Sequence, residues 1–164
     1  MFLSAVVFIS ILEVIMKKLL FALFTLALAV PVFAHATVRT EMGLSESKVG
    51  ITETYRLRVP TEKPISTTEV RMLVPEGLSV TSFQTIGGFV RTAQKNEKGL
   101  ITEVTWRGRI RVDEYGLFTF RAKNPASPTT LRFKVYQKYS DGSVVAWDND
   151  DKTAEKPASQ VEIK

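Results

Sequence analysis

Alternation of apolar and polar residues is the strongest pattern in this chain. Ile51, Tyr55, Leu57 and Val59 are interleaved with Thr52, Thr54, Arg56 and Arg58 until Pro60 stops the run. A period of two turns one set of side chains inward and leaves the other in water, so it predicts a half-buried strand. The same pattern places Val70, Met72 and Val74 on one face ahead of Pro75-Glu76-Gly77, and Thr102, Val104 and Trp106 on one face after Asn96-Glu97-Lys98-Gly99. Phe118, Phe120 and Ala122 follow Gly116, while Leu131, Phe133 and Val135 face away from Arg132, Lys134 and Tyr136, which assigns these Phe residues to the core. Asp141-Gly142, between residues 136–139 and 143–147, is the clearest hairpin signal. Val161 and Ile163 predict a last short strand after a polar loop over residues 148–158, and Trp106 reads as core because Val104 shares its face. Seven or eight strands, with no amphipathic helix, predict an all-β two-sheet β-sandwich of immunoglobulin or fibronectin type.

The first 34 residues follow other rules. From Met16 the order is Lys17 and Lys18, an apolar stretch over residues 19–30, then small residues, the layout of a cleavable signal peptide. Residues 1–15 are also apolar but carry Glu13 and lack that order, which points to Met16 as the true start. A membrane-spanning helix would hold Glu13, Lys17 and Lys18 near its middle, at about 3 kcal/mol each. Val32-Phe33-Ala34 offers small residues at the third and first positions before a cut, so residues 1–34 read as the signal peptide and 35–164 as the mature domain. Ala34-His35-Ala36 is a rival site that would remove the histidine. The expected product is periplasmic or secreted, with no membrane span after cleavage.

With no Cys, such a domain must be held by burial alone. Removing Lys17, Lys18 and Glu13 leaves 20 basic and 16 acidic residues, a net charge of +4. The basic residues (Arg56, Arg58, Arg107, Arg109, Arg111) are scattered along strands, as on a solvated sheet face, so no nucleic-acid partner is expected. A single His serves neither a catalytic triad nor a two-histidine zinc site, and the acidic groups Glu41 with Glu46 and Asp148 with Asp150 and Asp151 read as solvated loops. The protein is therefore not expected to be an enzyme.

That one histidine, His35, is the first residue of the expected mature chain. An amino-terminal His offers its α-amine and ring Nδ1 to one metal in a six-membered chelate ring. Such amines and imidazoles ordinarily titrate near about 8 and about 6.5, so a strong metal displaces both protons at neutral pH. Cu²⁺ heads the divalent affinity order and accepts tetragonal N,N,O ligation, whereas the absence of Cys and only four Met leave few soft ligands for Cu⁺. Residue types alone leave two readings of His35, a copper chelator or an exposed terminal residue.

The runs His35-Ala36-Thr37-Val38, Arg58-Val59-Pro60-Thr61-Glu62 with Thr67-Thr68, and Tyr139-Ser140-Asp141-Gly142-Ser143-Val144-Val145-Ala146-Trp147 resemble the YcnI-like copper-binding family, as do Val104-Thr105-Trp106 and the Phe118 strand. The resemblance implies an immunoglobulin-like sandwich holding Cu²⁺ in a single-histidine brace. The metal residues it implies are His35 (amine and Nδ1), Glu62 (carboxylate) and Trp147 (a wall that limits water entry). Glu53 is the fallback carboxylate, because its place in the alternation with Ile51 and Tyr55 is unusual for a surface acid. Against these roles stand a loop salt bridge for Glu62 and a core position for Trp147. Phe89 after Gly87-Gly88, where the family commonly has Trp, and residues 42–50 depart from the family pattern. The implied function is a periplasmic copper chaperone or buffer. Its partners would be the copper ion and a membrane copper transporter or another periplasmic chaperone. A metal-free extracytoplasmic interaction module is the alternative.

Overall fold

The computed structural model describes residues 35–164, so the expected signal peptide and the start at Met16 lie outside the described residues. The described chain is all-β: β1 (Thr37–Thr40), β2 (Glu46–Ser47), β3 (Thr52–Pro60), β4 (Thr67–Leu73), β5 (Ser79–Phe83), β6 (Val90–Lys95), β7 (Ile101–Ile110), β8 (Tyr115–Lys123), β9 (Thr129–Tyr139), β10 (Val144–Trp147) and β11 (Ser159–Ile163). One sheet has the order β1-β3-β8-β5; the other runs β2-β11-β9-β4-β7-β6, with β10 also paired to β9.

Seven of these strands follow the alternation directly; β1, β2, β5 and β6 bring the number above the seven or eight expected. β2 is only two residues long, and every residue of β6 is exposed, so this sheet-edge strand has no buried set to mark it. β5 pairs with β8 through an irregularity between Val80 and Ser82, which breaks its alternation.

The core forms between the inward faces. Tyr55, Leu57 and Val59 of β3 and Phe118, Phe120 and Ala122 of β8 are buried, as are Val70, Met72, Val104, Trp106, Leu131, Phe133 and Val135 from the facing sheet. Tyr55 stacks on Phe120 with centroids 5.6 Å apart, and Trp106 lies 4.8 Å from Phe118. Each such side chain contributes about 1.5–3 kcal/mol by burial, which holds a domain that has no disulfides.

Two hydrogen bonds between the sheets fix which residues share an end of the sandwich. The Val38 amide donates to Ser159 Oγ at 2.7 Å, and the fully buried Gln137 donates from Nε2 to the Pro60 carbonyl at 2.9 Å. β10 and β11 run antiparallel to β9 one after the other: Trp147 pairs with Val135, and Ser159 pairs with Phe133. The chain leaves β9 at Trp147 and returns two positions away, so residues 148–158 form a compact loop with neighbouring ends. That loop is closed by the Ala158 amide donating to the Asn149 carbonyl at 2.7 Å.

Candidate metal centre

β1 pairs antiparallel with β3 so that Thr37 faces Arg58; two residues further back, His35 stands level with Pro60. Pro60 ends β3, and Glu62 follows in the connection that crosses from one sheet to the other. The Gln137 bond to Pro60 places this strand end beside the part of β9 that pairs with β10. His35, the Glu62 connection and Trp147 therefore come to one end of the sandwich.

His35 is half-buried, and its Nε2 lies 3.0 Å from the carbonyl oxygen of Glu155 in the 148–158 loop. A backbone carbonyl only accepts, so Nε2 is the nitrogen that carries hydrogen, and Nδ1 of the neutral ring keeps its lone pair. Metal-binding imidazoles are commonly oriented by this kind of bond from the non-ligating nitrogen. The ring borders a groove of about 340 Å³ that also touches Arg39, Ser45, Lys152 and Pro157.

Glu62 is exposed, and it approaches Tyr139 rather than pairing with a basic residue. The Tyr139 hydroxyl is pushed up, mainly by burial; the Glu62 carboxylate adds to the shift and the Glu62 backbone opposes it. The adjacent Lys63 donates to Ser143 Oγ at 2.7 Å and sits 4.7 Å from the centre of the Tyr139 ring. Trp147 is 1% exposed and belongs to the hydrophobic core while standing at the mouth of the 148–158 loop. Among the described residues neither Glu62 nor Trp147 shares a hydrogen bond with His35, and no three His, Asp, Glu or Cys side chains converge as a metal cage.

Glu53 belongs to the opposite end. It lies seven residues before Pro60 on β3, about 23 Å along an extended strand. There it accepts the Ser47 hydroxyl at 2.9 Å and the Thr54 amide at 2.9 Å. Asn124 extends this network: it accepts the Tyr55 hydroxyl at 2.6 Å and donates to Ser47 Oγ at 3.0 Å and to the Lys48 carbonyl at 2.8 Å. Burial is the first cause that pushes the Tyr55 hydroxyl up to about 12. The unusual position of Glu53 in the alternation is thus accounted for by a structural network.

The sequence reading did not single out Gln137, although an amide between Val135 and Tyr139 on an inward face breaks the apolar pattern visibly. Besides Pro60, Gln137 Nε2 donates to Thr67 Oγ1 at 2.5 Å. Its Oε1 and Thr61 Oγ1 are buried without hydrogen-bond partners among the described residues. Buried polar atoms are nearly always paired, so two such atoms at the His35 end set it apart.

The family described as Domain of unknown function (DUF1775) matches residues 35–163. Over 124 residues the chain is 35% identical to Copper-binding protein CutI of Bacillus subtilis (strain 168), covering 74% of this chain and 58% of that protein, so it spans little more than half of that relative's length. An uncharacterized protein from Nocardia farcinica with an immunoglobulin-like fold superposes with a TM-score of 0.67 at 24% identity, covering 79% of this chain and 97% of that one. A cohesin module from Clostridium perfringens family 33 glycoside hydrolase gives 0.54 at 11% identity, covering 79% and 96%. These likenesses show the immunoglobulin-like fold. Together with the motifs around His35, Glu62 and Trp147, the match over the whole described domain makes this chain a member of the DUF1775 family, the YcnI-like family its sequence resembles.

Proposed function

We propose that this protein binds copper outside the cytoplasmic membrane, as a chaperone or buffer for Cu²⁺, and is not an enzyme. The observation that carries the reading is the bond from His35 Nε2 to the Glu155 carbonyl, which leaves Nδ1 as the ring's donor atom. A free α-amine on the same residue would complete a five-atom span from amine to Nδ1 that closes on one cupric ion. The family match, which begins at residue 35, supports a chain starting there. The relative named as copper-binding supports copper as the guest.

In this reading Glu62 supplies the carboxylate, because the strand register puts its connection at the His35 end and puts Glu53 at the other. Trp147 walls the site from the core side, where its burial excludes water. The sequence has one His, so a second imidazole for oxygen-activating chemistry is lacking, consistent with storage or transfer of the ion. The donor or acceptor would be a membrane copper transporter or another periplasmic chaperone. Intact-mass measurement of the exported protein tests the premise: a chain starting at His35 is expected, and one starting at Thr37 would refute the brace.

A further inference from the structure

The two sheets treat their outward charges differently. On the seven-stranded sheet carboxylates are interspersed with the cations, pairing Arg71 with Glu103 at 3.0 Å, Arg107 with Glu69 at 2.7 Å and Lys134 with Asp150 at 3.3 Å, while Arg91, Lys95, Arg109, Arg132 and Lys138 form no ion pair among the described residues. On the four-stranded sheet, Arg56, Arg58, Arg121 and Lys123 point outward, since their strand neighbours Leu57, Phe120 and Ala122 are buried, while Arg39 on the edge strand turns its guanidinium to the Val38 carbonyl at 2.7 Å and to Ser159 Oγ of the other sheet at 3.4 Å. Among the described residues one carboxylate answers them, Glu41 at 3.0 Å from Arg56.

Arg39 and Arg56 are even direct cross-strand partners. Like charges so placed repel, and a sheet with no use for them would more simply carry the pairs seen on the other face. Beside these cations the surface turns amphipathic: Tyr115 is 56% exposed with the Arg58 guanidinium 4.6 Å from its ring centre, and Leu117 and Val112 are 43% and 40% exposed. Asp113 and Glu114 sit at the hairpin tip beyond the face, where Glu114 accepts the Arg111 amide at 3.0 Å.

We propose that this outer face docks on an anionic phospholipid bilayer. Spread cations attract a negative headgroup layer, and Tyr and aliphatic side chains settle at its boundary with the hydrocarbon. A protein expected to be exported works beside such a surface. Docking would also place the candidate metal centre near the bilayer. Tyr115 pairs with Pro60, and His35 is level with Pro60 one strand further, about 10 Å from Tyr115 across two strand spacings.

The test is co-sedimentation of the exported protein, without copper, with vesicles of phosphatidylcholine alone or with a quarter phosphatidylglycerol. Binding is expected only with phosphatidylglycerol and should weaken with added salt. The double variant Arg58→Glu with Arg121→Glu should bind at least about thirtyfold more weakly, since each basic residue lost at an anionic surface is worth about fivefold and the new carboxylates add repulsion. Arg132→Glu with Lys138→Glu, which changes the net charge equally on the other sheet, should stay within a few fold of the unaltered protein. Tyr115→Ser with Leu117→Ser keeps every charge and should also lose binding, which covers the case in which the charge reversals unfold the sheet. No binding to phosphatidylglycerol vesicles, equal binding to pure phosphatidylcholine, or equal loss in both charge-reversal variants would overturn the proposal.

Discussion

The two ends of this sandwich both carry buried polar groups but arrange them in opposite ways. At one end Glu53, Ser47, Asn124 and Tyr55 form a closed chain in which each polar side chain has a partner. At the other, Gln137 holds Pro60 and Thr67 through its amide nitrogen while its own oxygen and Thr61 Oγ1 go without partners among the described residues. A closed network rigidifies and stabilises; a partly closed one beside a half-buried histidine holds polar groups ready for something other than stability. The difference bears on two carboxylates that the sequence left as competitors: Glu53 is bonded into the closed network, and Glu62 is exposed at the other end.

The contrast can be broken at either end. The largest effect is expected for Asn124→Ala, which strips partners from Tyr55, Ser47 and the Lys48 carbonyl and should cost about 3 kcal/mol in denaturant unfolding. Copper affinity should be unchanged in that variant; a parallel loss would mean the ends are not independent. Next, Glu62→Gln should weaken Cu²⁺ binding about tenfold by titration calorimetry, while Glu53→Gln leaves it alone. The reverse ranking would return the carboxylate role to Glu53. Gln137→Leu should cost only about 1 kcal/mol, because losing the bonds to Pro60 and Thr67 is partly offset by removing an unpaired buried oxygen. A copper affinity untouched by that change would show that the Pro60 strand end needs no such anchor.

A further effect lies at alkaline pH. Tyr55 in the folded protein holds its proton up to about 12, above the ordinary value of 10.0. The unfolded chain therefore releases this proton first, so the contribution is complete below pH 10 and declines as pH rises toward 12. Melting temperature should fall over that window, and Tyr55→Phe should flatten the fall.

What the sequence revealed depended on whether a residue's role leaves a local trace. The strands of Tyr55, Phe118 and Phe133 were legible because burial on one face imposes a period of two. β6 left no trace because all its residues are exposed, and β2 because two residues cannot show a period. His35 was legible as a candidate because its chemistry depends on position in the chain. Its bond to Glu155, 120 residues away, was not, because it depends on where the 148–158 loop folds back. Glu53 is a related case: its inward parity was visible, but its bond to Ser47, and the link from Ser47 to Asn124, depend on how separate segments meet. Residues 1–34, with the expected cleavage site, lie outside the described residues, so that expectation rests on sequence alone.

The account stands on His35 as a two-point ligand, and one titration addresses it most directly. Cu²⁺ is added to protein that begins at His35 and to the same protein with its α-amine acetylated. Joining two donors in one chelate is worth about a hundredfold or more, so the acetylated protein should bind at least that much more weakly and lose the nitrogen couplings of the chelate in its electron paramagnetic resonance spectrum. Equal affinity and identical spectra for the two proteins would contradict the account.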